Sequence, residues 1–149
     1  MILNLQRTAR LARRPLELFL RRVWDELGIE DAEVTVCFVS DAEIARMNEA
    51  FRRKKGPTDV LSFPAAEKRK PLRTARGRRG PIQNKYLGDI AISPAMAQRN
   101  AKAYGRTPGN EIRILMLHGV LHLLGYDHET DRGAMNRLEQ KLRRRLGLV

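Results

Sequence analysis

Apolar residues in the first third of the chain recur at helical spacing. Leu16, Phe19, Leu20, Val23, Trp24 and Leu27 share one face of a helix that begins near Pro15 and stops before Gly28. Before it, Met1-Ile2-Leu3-Asn4-Leu5 reads as a strand over about residues 2–6, and Val34 to Val39 as a second over about 33–39. Ser40-Asp41-Ala42-Glu43 is a capping box, opening a helix expected to turn Ile44, Met47 and Phe51 inward. Pro57-Thr58-Asp59 makes a turn into a third strand, Val60-Leu61-Ser62-Phe63, and Gly88-Asp89-Ile90-Ala91-Ile92 makes a fourth. Ser93-Pro94 starts a further helix that Gly105 ends, and Thr107-Pro108 starts another. This one carries Ile112, Ile114, Leu115, Met116, Leu117, Val120 and Leu121 almost all round its axis, which predicts the central, buried helix. A last helix shows Met135, Leu138 and Leu142 on one face. The pattern predicts an α+β fold: one domain, a small mixed four-stranded sheet covered by helices, with no repeats and no domain boundary.

Composition supports that size of fold. A chain of 149 residues with 42% hydrophobic and 31% charged positions is expected to be soluble and globular. At this length a domain buries roughly 68–70% of its unfolded surface, enough for a core without staples. No apolar run approaches a membrane span. No charged start, apolar stretch and small-residue cleavage site combine into a secretory leader. The first 22 residues hold six arginines and one acid, but the strand and core stripe there argue against a transit peptide. The single Cys37, in a strand, reads as a small buried hydrophobe and fits a reducing cytoplasm.

The net charge of +12 makes a polyanion the expected partner, because binding one releases its counterions. From Lys68 to Lys85 there are eight basic residues and no acid, interrupted by Pro71, Gly77, Gly80 and Pro81. That is a basic loop, with Arg76, Arg78 and Arg79 as candidate polyanion contacts. The first helix and Lys141-Leu142-Arg143-Arg144-Arg145 add two more basic patches. With no strongly apolar face beside them, nucleic acid is favoured over membrane.

All three histidines fall within eleven residues, from His118 to His128. His118 and His122 are four apart, which stacks both imidazoles on one helix face. Gly125 suits the positive φ that ends a helix and turns the chain back, so that His128 can return toward the first two rings. Three nitrogen ligands leave a fourth tetrahedral position for water, the mark of a catalytic rather than a structural zinc site. Zinc peptidases carry a glutamate directly after the first histidine of such a helix as general base. Here that position is Gly119, which takes no proton and suits close packing or ligand approach, so peptide hydrolysis by that route lacks its base. Asp127, next to His128, is a candidate for orienting a ligand from behind or for a structural bond in the turn. Asp59 and Asp89 read as turn or backbone-bonding residues at strand starts, and Tyr126 as packing beneath the turn.

The run His118-Gly119-Val120-Leu121-His122-Leu123-Leu124-Gly125-Tyr126-Asp127-His128 resembles the signature of the YbeY family, single-domain bacterial endoribonucleases that mature ribosomal RNA. Asn48-Glu49-Ala50-Phe51-Arg52 with Pro57-Thr58-Asp59-Val60-Leu61-Ser62-Phe63-Pro64, and Leu87-Gly88-Asp89-Ile90-Ala91-Ile92-Ser93, agree with the family in the same order. The resemblance implies one zinc per chain on His118, His122 and His128, and a functional arginine at Arg52, whose planar fork suits phosphate. Taken by itself, Arg52 beside Arg53, Lys54 and Lys55 reads as an ordinary exposed arginine. The basic loop and basic first helix depart from the family's pattern, which bears on how substrate is engaged. The implied function is a zinc-dependent single-strand endoribonuclease of the cytoplasm, acting with the small ribosomal subunit on the 3′ end of its RNA. Two other classes stay open: a ribosome-assembly factor whose zinc is structural, and a metal hydrolase of another bond. The sequence specifies no oligomeric state.

Overall fold

The computed structural model describes residues 1–65, 86–127 and 132–148. The described elements run β1 (Ile2–Asn4), α1 (Arg13–Leu27), β2 (Glu33–Phe38), α2 (Asp41–Arg52), β3 (Val60–Pro64), β4 (Tyr86–Ile92), α3 (Pro94–Tyr104), α4 (Pro108–Leu123) and α5 (Ala134–Arg145). The four strands form one mixed sheet in the order β1-β2-β4-β3. β1 and β4 both run parallel to β2, and β3 lies antiparallel to β4 as an edge strand. The fold is α+β, as the patterning predicts, with small differences at the ends. β1 stops at Asn4, and α1 starts two residues before Pro15.

The sheet separates two apolar regions. On its larger side Val34, Val36 and Phe38 of β2 and Ile90 and Ile92 of β4 meet the buried stripe of α1 and most of α4, together with Met135 and Leu142 of α5. On the other side Ile44 of α2 closes over Val39, Leu61 and Ala91, with Cys37, Met47 and Phe63 at the margin. β4 begins at Tyr86 rather than Gly88 because of a bulge: Glu33 pairs with Tyr86 and Val34 with Gly88, so Leu87 is the extra residue. Leu87 and Ile90 thereby reach the same core despite their odd spacing. Gly88 permits the bulge, having φ +140 and a position where a Cβ would lie 2.3 Å from the Phe63 carbonyl oxygen.

Phe51 departs from its inward expectation. It is 69% exposed at the last turn of α2, and its ring meets Phe63 edge-on at 5.0 Å. Asp89 lies inside β4 rather than at its start, and accepts a hydrogen bond from Tyr86 Oη. The capping serine behaves as expected, with Ser40 Oγ accepting from the Glu43 backbone N–H at 3.2 Å, while the Glu43 carboxylate pairs with Arg46. No described helix is long and apolar enough to cross a membrane.

Candidate active site

α4 is buried nearly throughout, as its all-round apolar pattern predicts, and its N-terminus is capped by Thr107. Its one buried carboxylate, Glu111, is matched by Arg106 at 2.7 Å. His118 and His122 break the pattern as half-buried residues on a helix face that reaches water. The helix ends as the glycine signal predicts. Gly125 takes φ +100, its N–H bonds the His122 carbonyl, and the Tyr126 N–H bonds that of Leu121. These two bonds are the Schellman closure, which turns the backbone away from the helix axis. Tyr126 packs on the core beneath this turn, and Asp127 follows it exposed.

The two imidazoles stand with ring centroids 4.7 Å apart and planes at 75°, bringing His118 Nε2 within 3.1 Å of His122 Nε2. Behind His118, its Nδ1 lies 2.6 Å from Glu139 Oε1 on α5. The other oxygen of Glu139 accepts from Arg143 Nη2 at 2.7 Å. Glu139 is only 6% exposed. Burial pushes its carboxyl up, but the hydrogen bond from His118 and the charges of His118 and Arg143 outweigh this and hold it below the usual carboxylate range. A carboxylate only accepts, so the proton of this contact belongs on His118 Nδ1, and Nε2 is the ring nitrogen that faces His122.

The donors present suit zinc. Two nitrogens at 2.0–2.1 Å from a tetrahedral ion stand about 3.3 Å apart, and imidazole is among its preferred ligands. The 3.1 Å separation is close to that spacing. Among the described residues no group of three His, Cys, Asp or Glu could hold an ion. The third expected ligand, His128, lies outside the described residues, as do Arg76, Arg78 and Arg79.

Gly119 turns out to serve packing. A Cβ there would lie 2.8 Å from Ile90 Cγ2, and its carbonyl accepts from Ser62 Oγ at 3.3 Å, so this side of α4 is pressed onto the sheet. The position that carries the base in peptidases therefore faces β4. Arg52 ends α2, exposed, and among the described residues it makes no ion pair. β3 joins its surroundings to the histidine helix, with Phe63 against Phe51 and the adjacent Ser62 against Gly119. The segment after Arg52 is pinned by Asn48, whose Nδ2 donates to the Gly56 carbonyl at 3.0 Å. Asp59 accepts from Asn100 Nδ2 at 3.1 Å, so its carboxylate ties the start of β3 to α3 rather than bonding the turn backbone. Burial and the nearby Asp89 push the Cys37 thiol up, so the cysteine is no activated nucleophile.

The carboxylate behind His118 escaped the sequence reading, which favoured Asp127 as the candidate. A signal was present. Met135, Glu139 and Leu142 follow helical spacing, so Glu139 occupies the apolar stripe of α5, where an acid needs a partner.

Fold and site together define a class: small α+β domains built around a central helix that presents paired histidines at its C-terminal end. The family model described as "Endoribonuclease YbeY" matches residues 2–147. Proteins named "Endoribonuclease YbeY" from Solibacter usitatus and Koribacter versatilis are 45% and 40% identical to this chain. Those alignments cover 94% and 99% of this chain, and 83% and 86% of theirs. A solution structure of a Thermotoga maritima protein aligns with TM-score 0.63 and 28% identity, covering 98% of this chain and 89% of that one. The chain belongs to the YbeY family.

Proposed function

We propose that this protein is a zinc-dependent, single-strand-specific endoribonuclease of the cytoplasm. It acts with the small ribosomal subunit in ribosomal RNA maturation, at the 3′ end of 16S RNA, and in ribosome quality control. The observation that carries this reading is the His118–His122 pair, with Nε2 atoms 3.1 Å apart, on the central helix of a chain whose relatives are named endoribonucleases. His118, His122 and His128 would hold one zinc, which supplies Lewis acidity and lowers the pKa of a bound water to about 7. Arg52 offers its planar fork to the phosphate oxygens of the scissile link, holding them in register. Gly119 cannot move a proton, and its place against Ile90 leaves no room for a side chain that could. Arg76, Arg78 and Arg79 of the basic segment add affinity along the RNA backbone.

The deciding experiment is an RNA cleavage assay on metal-free, zinc-restored and His118→Ala protein. Activity should vanish on chelation, return with zinc and stay absent in the variant. Elemental analysis should give about one zinc per chain, lost in His122→Ala and at low pH as the rings protonate. Zinc content unchanged in His122→Ala would remove the histidines from the metal site. RNA bound but never cut, with zinc present, would favour the assembly-factor reading.

A further inference from the structure

Glu139 belongs to no motif of the sequence, yet it is the group against the back of His118. The geometry points to Glu139 as a positioning residue: held by Arg143, it fixes the His118 ring and tautomer so that Nε2 faces the point shared with His122. This rests on the proposed function, since it assigns a role in that same site.

Three observations converge. The carboxylate is 6% exposed on the apolar stripe of α5, where an acid with no task would be unfavourable. Its two oxygens are divided, Oε1 at 2.6 Å from His118 Nδ1 and Oε2 at 2.7 Å from Arg143 Nη2. The opposite nitrogen of the same ring, Nε2, is the one within 3.1 Å of His122 Nε2. Arg143 is itself largely buried, its side chain 15% exposed, and it supplies a fixed positive charge. Arg143 thus holds one oxygen of Glu139 in place while the other meets the His118 ring. A carboxylate that accepts from the far nitrogen of a ligating histidine sets both tautomer and ring direction, and its loss typically costs 10–100-fold in metal affinity. A plain structural ion pair between α4 and α5 would give the same distances, so the readouts must be ones that packing alone does not move.

The test uses the full chain with Glu139→Gln, which is isosteric. Its single amide oxygen cannot serve His118 and Arg143 together. Leu142→Ala serves as a control that loosens α5 on the same face without touching the carboxylate. Zinc affinity is read by competition with a chromogenic chelator, and the tautomer of His118 by imidazole ¹⁵N shifts in metal-free protein. We expect E139Q to bind zinc 10–100-fold more weakly. Its His118 should move from the Nδ1–H form toward a mixture, while L142A lowers the melting temperature but leaves affinity and tautomer as in the parent. Unchanged affinity and tautomer in E139Q, with the parent still binding one zinc, would overturn the positioning role and leave the metal site standing. So would an equal loss of affinity in L142A, which would make the effect one of packing. If the parent binds no zinc at all, the metal reading falls and takes this role with it.

Discussion

At position 52 the shape of a side chain matters more than its charge. Arg52 is exposed at the end of α2, where lysine would be as well solvated and as positive. Arg52→Lys should therefore leave zinc content and melting temperature near those of the parent. Cleavage should drop severalfold or more, because a point charge does not reproduce the guanidinium fork. Full activity in the lysine variant would make Arg52 an ordinary surface cation. Gly119 is a residue-scale case of the opposite kind, where room decides. Alanine there would recover about 1 kcal/mol of helix propensity. It would also press on Ile90, which is fully buried, and overpacking of this sort costs about 1–3 kcal/mol. The net expectation is a loss of about 1 kcal/mol, read as a melting temperature lower by about 3 °C. A rise would show that Ile90 gives way.

Among the elements, the end of α4 and the start of α2 carry the sharpest expectations. Gly125 at φ +100 makes the Schellman turn between the histidine helix and the segment toward His128. Alanine at that φ is strained by about 1–2 kcal/mol, so Gly125→Ala should lower stability by that amount in urea titration. It should weaken zinc retention as well if this turn returns the third ligand. The start of α2 is tied to the β4–α3 junction through Asp41, which accepts from Ser93 Oγ at 2.5 Å and from Arg99 Nη2 at 2.7 Å. The Ser93 hydrogen bond, opposed by burial and aided by the hydrogen bond and charge of Arg99, holds the Asp41 carboxyl below its ordinary value. A depressed carboxyl contributes stability that is fully present above the unfolded pKa and lost as pH falls through the folded one. Stability should thus decline with acid below the ordinary carboxylate range. Asp41→Asn should flatten that decline, and a slope identical to the parent's would remove Asp41 from the acid response.

For the molecule as a whole, the relevant quantity is the +12 net charge and its placement. Each phosphate contact on single-stranded RNA adds about 0.7 to the salt slope of binding, so neutralising Arg76, Arg78 and Arg79 together should flatten it by about 2. Cleavage at saturating RNA should change little, because the three are separated in sequence from the histidines. An unchanged slope would assign these three arginines to solvent or to a protein partner.

What could be read from the sequence was whatever local spacing encodes. The all-round apolar run of α4, the four-residue step from His118 to His122, the caps at Ser93 and Thr107 and the stop at Gly125 each depend on neighbours within one or two turns. They appear in the structure as the sequence predicts. The four strands followed in outline for the same reason. What only the tertiary structure decided involves residues far apart in the chain. Phe51 follows the inward spacing of α2 but ends exposed, with its ring edge-on to Phe63 of β3 as its aromatic contact. Leu87 joins the core through a bulge that depends on how β2 and β4 register. Gly119 is demanded by Ile90, which lies 29 positions before it and touches it only once α4 is laid on β4. Glu139, 21 residues beyond His118, meets that ring only because α5 packs back against α4. Periodicity reports which face of an element is apolar. Which partner covers that face, and which buried charge finds which imidazole, is settled by the packing of all the elements at once.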